Sequence, residues 1–344
     1  MKLHEITIKP ASGFGTPLKG DTLFGHFCWQ AAYDPTLLNG GLDRWIAQYA
    51  NKPFAVFSSA WPKFCLKNTQ YALKRPDLPL SLLFKDTAKS DDRRKQLTER
   101  KANSKKKWVL ISEDLRLTLN SMKYFTDDDL AEMAPEQATA ETHRHMIKSA
   151  SPSFITEFAQ PHNTINRLTF STGESWFAPF SETASFYYPE TELAVFVLLD
   201  EDATDVERVC TAMERIGQWG FGKNASTGLG RFDLGESEPL SLPVVSDANA
   251  CYTLSPVVPE SGLYATHYFT PFIRFGKHGD VLAKSRNPFK NPVIMANEGA
   301  VFVPRDANFP SNAYIGRAVF HTSKALPQSV VQGYSIYLPF RLEM

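Results

Sequence analysis

The stretch TELAVFVLLDED, residues 191–202, constrains the fold of this chain more than any other. It is apolar nearly throughout, so the strand it predicts is buried on both faces and needs a layer on either side. The residues that follow, ATDVERVCTAMERIGQW (203–219), place Val206, Val209, Cys210, Met213, Ile216 and Gly217 at helical spacing and predict an amphipathic helix. That helix stops at a glycine-rich loop, GFGKNASTGLG (220–230), and a further strand is expected around Leu229–Leu234. The N-terminus is built in a related way. KLHEITIK (2–9) alternates like a strand, a glycine-rich turn follows, and Leu23, Phe24, Phe27, Cys28 and Ala31 recur at helical spacing. Asp21 or Thr22 is the expected N-cap of that first helix.

The middle of the chain is less regular. FAVFSSAWP (54–62) predicts a strand ending at its proline, and LKRPDLPLSLLF (73–84) an extended, proline-punctuated segment. A charge-dense run occupies 85–108, and residues 127–150 look helical and polar. The span from about 36 to 160 therefore reads as an insertion. HNTINRLTFST (162–172) and SETASFYY (181–188) are further candidate strands. With the insertion set aside the order is βαββαβ, the ferredoxin-like arrangement. A proline-rich linker, 236–250, leads to a mostly β unit with strands within 263–275, 291–304 and 333–342. The expected class is thus α+β, with two ferredoxin-like (RRM-like) domains. The first, 1–240, carries the insertion; the second, 241–344, is degenerate and mostly β.

Charge and composition narrow the function. The 344 residues hold 37 basic and 37 acidic side chains, so the chain is no polycation, and any nucleic-acid contact must come from local clusters. MKLHEITIKP has no apolar signal core, and no apolar run nears the ~20 residues of a membrane helix. A cytoplasmic protein without a membrane partner is expected. Four cysteines without CxxC spacing and eight histidines without a ligand frame argue against a metal site or cofactor and for buried, reduced thiols.

The loop GFGKNASTGLG fails as a Walker loop, because Lys223 is followed by Asn224 rather than a serine or threonine, and because it follows a helix and precedes a strand. What remains is a pliable backbone with Gly220, Gly222, Lys223, Asn224, Ser226 and Thr227, able to press against a phosphodiester chain. An ordinary helix-to-strand turn is the competing reading, but it needs fewer glycines. In GFGTPLKGDTLFGHFCWQ (13–30), Lys19 and Gly20 suit a phosphate contact. His26 suits a core or RNA-contacting role better than a catalytic one. Arg93, Arg94, Lys95, Arg100, Lys101, Lys105, Lys106 and Lys107 form either a nucleic-acid or partner-binding patch or a solvated loop.

Together TPLKGDTLFGHFCW, FSSAWP, HNTINRLT, GFGKNASTGLGRF and GYSIYLPF resemble the RAMP superfamily of CRISPR proteins. Within it, TPLKGDTLFGH and HNTINR are most similar to the handle-binding subunit of type III-A (Csm) complexes. The resemblance implies two ferredoxin-like domains and a non-catalytic subunit. Such a subunit grips the repeat-derived 5′ handle of the crRNA, caps the filament of backbone RAMP subunits and docks a large polymerase-fold subunit. It also implies RNA contacts from Lys19, Gly20, His26, Asn163, Arg167 and the 220–230 loop, and target nucleic acid as a further partner. This chain departs from the family at Phe221-Gly222-Lys223, where a paired glycine is usual. Two alternatives remain open at this stage. One is a metal-independent RAMP endoribonuclease acting on precursor crRNA through His26 and Lys19. The other is the equivalent subunit of a compact type I complex, which also contacts the DNA motif flanking a target.

Overall fold

The computed structural model describes residues 1–84, 93–146, 153–305 and 309–343. In chain order it has β1 (Lys2–Pro10), α1 (Gly20–Tyr33), α2 (Leu42–Gln48), β2 (Ala55–Cys65), β3 (Thr69–Lys74), α3 (Leu80–Leu83), α4 (Arg93–Lys105), β4 (Trp108–Ser112) and β5 (Tyr124–Phe125). Next come α5 (Asp127–Met133), α6 (Ala140–Met146), β6 (Ile155–His162), β7 (Phe180–Tyr187), β8 (Glu192–Leu199), α7 (Val206–Trp219) and β9 (Phe232–Leu240). The last part holds β10 (Ala250–Thr253), β11 (Tyr264–Tyr268), β12 (Pro271–Arg274), β13 (Val293–Ala296), β14 (Val301–Pro304), β15 (Tyr314–Gly316) and β16 (Tyr334–Phe340). The class is α+β, and the sheets are antiparallel.

The main sheet has the order β5-β4-β3-β2-β8-β1-β9. The doubly apolar strand of the sequence is β8, and it lies inside this sheet as its composition requires, paired with β1 from Lys2↔Leu199 to Ile8↔Leu193 and with β2 on its other side. Helix α1 leads from β1 to β2, and α7 from β8 to β9. Each buries an apolar face: Leu23, Phe24, Phe27 and Ala31 on α1, and Val209, Ala212, Met213 and Ile216 on α7. Asp205 caps α7, its carboxylate accepting from the Arg208 amide at 2.9 Å.

Several expectations need correction. The strand at 54–62 does not stop at its proline: β2 runs on to Cys65. Partner β3 joins only from Lys63, so the missing Pro62 N–H falls where one side of β2 is open. The span read as an insertion supplies β2, β3, β4 and β5 to the main sheet itself. Residues 181–188 do not enter that sheet; β7 forms a separate hairpin with β6. Residues 80–83 make a single helical turn rather than extended chain. The 127–150 stretch is two short helices broken at Pro135, with 147–150 outside the described residues. The first third of the expected linker is strand, because β9 extends to Leu240. All four cysteines are free thiols, but only Cys251 is buried; Cys28 and Cys210 are half-buried and Cys65 is exposed.

The C-terminal unit forms a second sheet, β11-β14-β10-β16-β15, and a small pair, β12-β13. Tyr252, Val301, Ile336 and Phe340 belong to the same buried cluster as Ile6, Phe27 and Val195, so the two sheets share one core. The Gln332 side chain, fully buried, joins them: it accepts from the Phe57 N–H at 2.9 Å and donates to the Phe57 carbonyl at 2.8 Å. Among the described residues no helix is long and apolar enough to cross a membrane.

Candidate nucleic-acid interface

The two glycine-rich stretches lie against each other. The Gly230 N–H donates to the Gly13 carbonyl at 2.7 Å, the Lys223 N–H to Thr16 Oγ1 at 2.9 Å, and the Gly222 N–H to His26 Nε2 at 3.3 Å. Glycine is required at 222, where φ is +75° and a Cβ would fall 2.6 Å from the Thr16 Cβ. A third element, the β6–β7 hairpin, joins at its base. Phe14 and Ser185 exchange backbone hydrogen bonds at 2.8 and 3.0 Å, and the Glu182 carboxylate accepts from the Asn224 amide and pairs with Lys223 at 3.1 Å. Hydrogen bonds from Lys223 and then Asn224 hold the Glu182 carboxyl below its usual pKa. Lys223 and Asn224 therefore do have a strand to support them, which sequence spacing does not reveal. Lys223 itself stays exposed, as do Ser226 and Thr227, the latter donating its hydroxyl to the Asn224 carbonyl at 2.9 Å. Gly220 is a buried helix C-cap with φ of +97°.

His26 sits at the joint between these loops, its ring 4.7 Å from that of Phe221. Burial pushes its pKa down to about 4, and its Nε2 accepts a backbone N–H, so the ring is neutral. The unfolded chain takes up this proton first. Stability supplied by neutral His26 is therefore complete above about pH 6.5 and is lost as pH falls toward about 4. At 1.36 kcal/mol per pKa unit the full loss is on the order of 3 kcal/mol. Urea midpoints of the wild type should fall across that window, and those of His26→Gln should fall less. Equal losses in both would move the acid sensitivity to other groups.

Lys19 and Gly20 are not placed as expected. Lys19 is buried, and its ammonium lies 2.5 and 2.6 Å from the Glu298 carboxylate oxygens, 2.7 Å from Asn297 Oδ1, and over the Phe272 ring. A lysine so neutralised is not offered to a phosphate. Gly20 is buried at the start of α1, where a Cβ would fall 2.1 Å from the Phe57 carbonyl oxygen, so it is a packing glycine. Asp21 is no N-cap: α1 begins after Lys19, and the Asp21 carboxylate accepts from Arg274 Nε at 2.5 Å and from its terminal nitrogen at 2.7 Å. The charged residues of this motif bind α1 to the C-terminal unit.

Asn163 and Arg167 are exposed, but the strand expected over 162–172 is not formed: β6 ends at His162, and both residues lie in the connection between β6 and β7. The same connection bares Leu168 (91 %), Phe170 (85 %) and Trp176 (88 %), an apolar tip that alternation analysis does not flag. The basic run lies elsewhere, at the β4 end of the sheet. It is the helix α4 and not a loop, because its residues are good helix formers, although no side buries an apolar stripe and Leu97 is exposed. Arg94, Lys95, Arg100, Lys101 and Lys105 are exposed on it, while the Arg93 side chain lies outside the described residues. Beyond the helix, Lys106 lies over the Phe84 ring and Lys107 pairs with Asp127 at 2.9 Å. Among the described residues no three His, Cys, Asp or Glu side chains are grouped to hold a metal ion.

A scan against protein-family models gives no match, and neither does a search of curated proteins. Solved structures do match. The chain has the fold of components of CRISPR effector assemblies. It aligns along 100 % of its length with a chain of a Csm1–Csm4 cassette in complex with cA4 (TM-score 0.55, 14 % identity, 100 % of that chain). It aligns equally with a chain of the same cassette in complex with pppApA (0.54, 14 %, 99 % of that chain). A Csm3–Csm4 subcomplex of the type III-A CRISPR-Cas interference complex matches over 99 % of this chain and 100 % of that one (0.53, 14 %). Csm4 is the component common to all three. The motif resemblance and the likeness in fold thus meet on the same group of proteins.

Proposed function

We propose that this chain is the crRNA-binding end subunit of a type III-A-like CRISPR complex, gripping the 5′ handle and making contacts to backbone and large subunits. The observation that carries this reading is the meeting of the two glycine-rich loops at the base of an exposed hairpin. Open space beside Gly228, the exposed Lys223, Ser226 and Thr227 and a neighbouring arginine-bearing connection make a surface suited to a phosphodiester chain. The order β2-β8-β1-β9, joined through α1 and α7, supports a ferredoxin-like first domain ending near Leu240, with the second sheet as its degenerate partner.

The reading is non-catalytic and cytoplasmic. Metal-independent cleavage needs a base that titrates near neutral pH and a cation free to meet the phosphate. His26 is held neutral down to about pH 4, and Lys19 is spent on Glu298. Incubating the purified chain with repeat RNA in EDTA separates the alternatives. Retention of intact RNA is the expected result. A product ending in a 2′,3′-cyclic phosphate would establish an endoribonuclease instead.

A further inference from the structure

The ribbon β12–β13 buries one face and bares the other. Its register sets Ile273 opposite Ile294 and Arg274 opposite Val293, and a bridge between Lys277 and Phe289 carries the pairing past the two strands. The His278 N–H donates to the Pro288 carbonyl at 2.8 Å, so residues 278–288 close the far end. Residues opposite one another in an antiparallel pair point to the same side, as do residues two apart along a strand. Phe272, Arg274, Val293 and Met295 point inward. Arg274 holds Asp21, the Lys19 ammonium lies 4.6 Å from the Phe272 ring centre, and Val293 and Met295 pack with Val258. That face is fully occupied by the rest of the chain.

The outward face carries Ile273, Phe275 and Lys277 on one strand and Phe289 and Ile294 on the other. Ile273, Phe275, Phe289 and Ile294 are 47 %, 75 %, 67 % and 70 % exposed. The Lys277 ammonium lies 5.4 Å from the Phe289 ring centre. By register these residues follow one another along the ribbon, so the exposure is one stripe rather than scattered single residues. The stripe is edged with positive charge. Lys277 lies on it, and Lys284 and Arg286 lie in the closing connection; all are exposed and have no carboxylate partner among the described residues. The one acidic residue of 271–291, Asp280, accepts the Tyr33 hydroxyl.

We infer that the outer face of β12–β13 is a docking surface for a protein whose matching surface is apolar at its centre and edged with aspartate and glutamate. The inference rests on the reading of this chain as a complex subunit, and it gives that reading a surface and a partner chemistry. An apolar centre with a charged rim is the anatomy of a protein interface, and the rim charges call for the opposite sign across it. A second copy of this chain would bring like charges to one rim. Nucleic acid is disfavoured because an isoleucine pair at one end of the stripe offers no ring for a base to stack on. Anionic lipid is held by clusters of about 4–8 cations, more than this rim provides.

The test uses the full chain, affinity-tagged and co-expressed with the backbone and large subunits of its own complex. Phe275→Ser/Phe289→Ser is expected to weaken retention of one subunit about tenfold or more, the size of an interface hot spot, with an unchanged melting temperature because both rings are exposed. Lys277→Glu/Arg286→Glu should slow association with the same subunit and remove most of its salt dependence. A carbodiimide, which condenses a lysine amine with a carboxylate, should join Lys277 or Lys284 to an aspartate or glutamate of that subunit. If the wild type retains its subunits and both variants retain them equally well, the docking surface is overturned and the complex reading stands. If the wild type retains none, both fall. Full subunit retention with lost binding to phosphatidylglycerol vesicles or to a single-stranded RNA would assign the face to lipid or nucleic acid and overturn the inference.

Discussion

Arg274→Ala is expected to destabilise the chain by about 3–5 kcal/mol, because removing one member of a buried ion pair strands the other. The Asp21 side chain is almost wholly buried, and its two oxygens take two hydrogen bonds from one guanidinium, at 2.5 and 2.7 Å. Lysine in place of arginine does not repair this, since an ammonium cannot present the paired fork. The α1 N-terminus eases the stranded carboxylate somewhat, which favours the lower end of the range. Asp21→Asn in the Arg274→Ala background should recover part of the loss, and the double-mutant cycle should show coupling above about 1 kcal/mol. Thermal and urea unfolding check it. A loss below about 1 kcal/mol in the single variant would mean that the pair does not join the two units.

What could be read in advance, and what could not, follows from the range of the signal. Strand β8, helix α7 and helix α1 are legible because their apolar spacing is local, and so is the loop that the glycines mark. The partners of the site are not. Lys19 meets Glu298 at a separation of 279 residues, Arg274 meets Asp21 at 253, and Asn224 meets Glu182 at 42. No spacing rule reports such distances. A lysine between glycines therefore looks like a phosphate ligand when it is an internal tie. Strand β2 is legible as a strand, but its place in the main sheet is hidden for a related reason. Its neighbours β8 and β3 lie on either side of it in the sheet, but β8 returns to it only after a long excursion that resembles an insertion. In α4, helix propensity is present without an apolar stripe, so periodicity finds nothing to detect.

The second large effect is expected at Gly222. Alanine there meets Thr16 at 2.6 Å in a left-handed conformation that costs an L-residue about 1–2 kcal/mol, so the two loops must part. The core does not depend on this contact, because α7 and β9 are held by their own packing, and the melting temperature should fall by only a few degrees. The hydrogen bonds from Gly222 to His26 and from Lys223 to Thr16 would go together, and with them the shape of the surface. Photocrosslinking of a thiouridine-substituted single-stranded RNA, mapped by mass spectrometry in wild type and Gly222→Ala, measures this directly. The predicted result is crosslinking within 13–30 and 220–230 in the wild type, and its loss in the variant with the fold retained. Crosslinks confined to α4 or to other surfaces, unchanged by Gly222→Ala, would contradict an RNA site at the glycine loops.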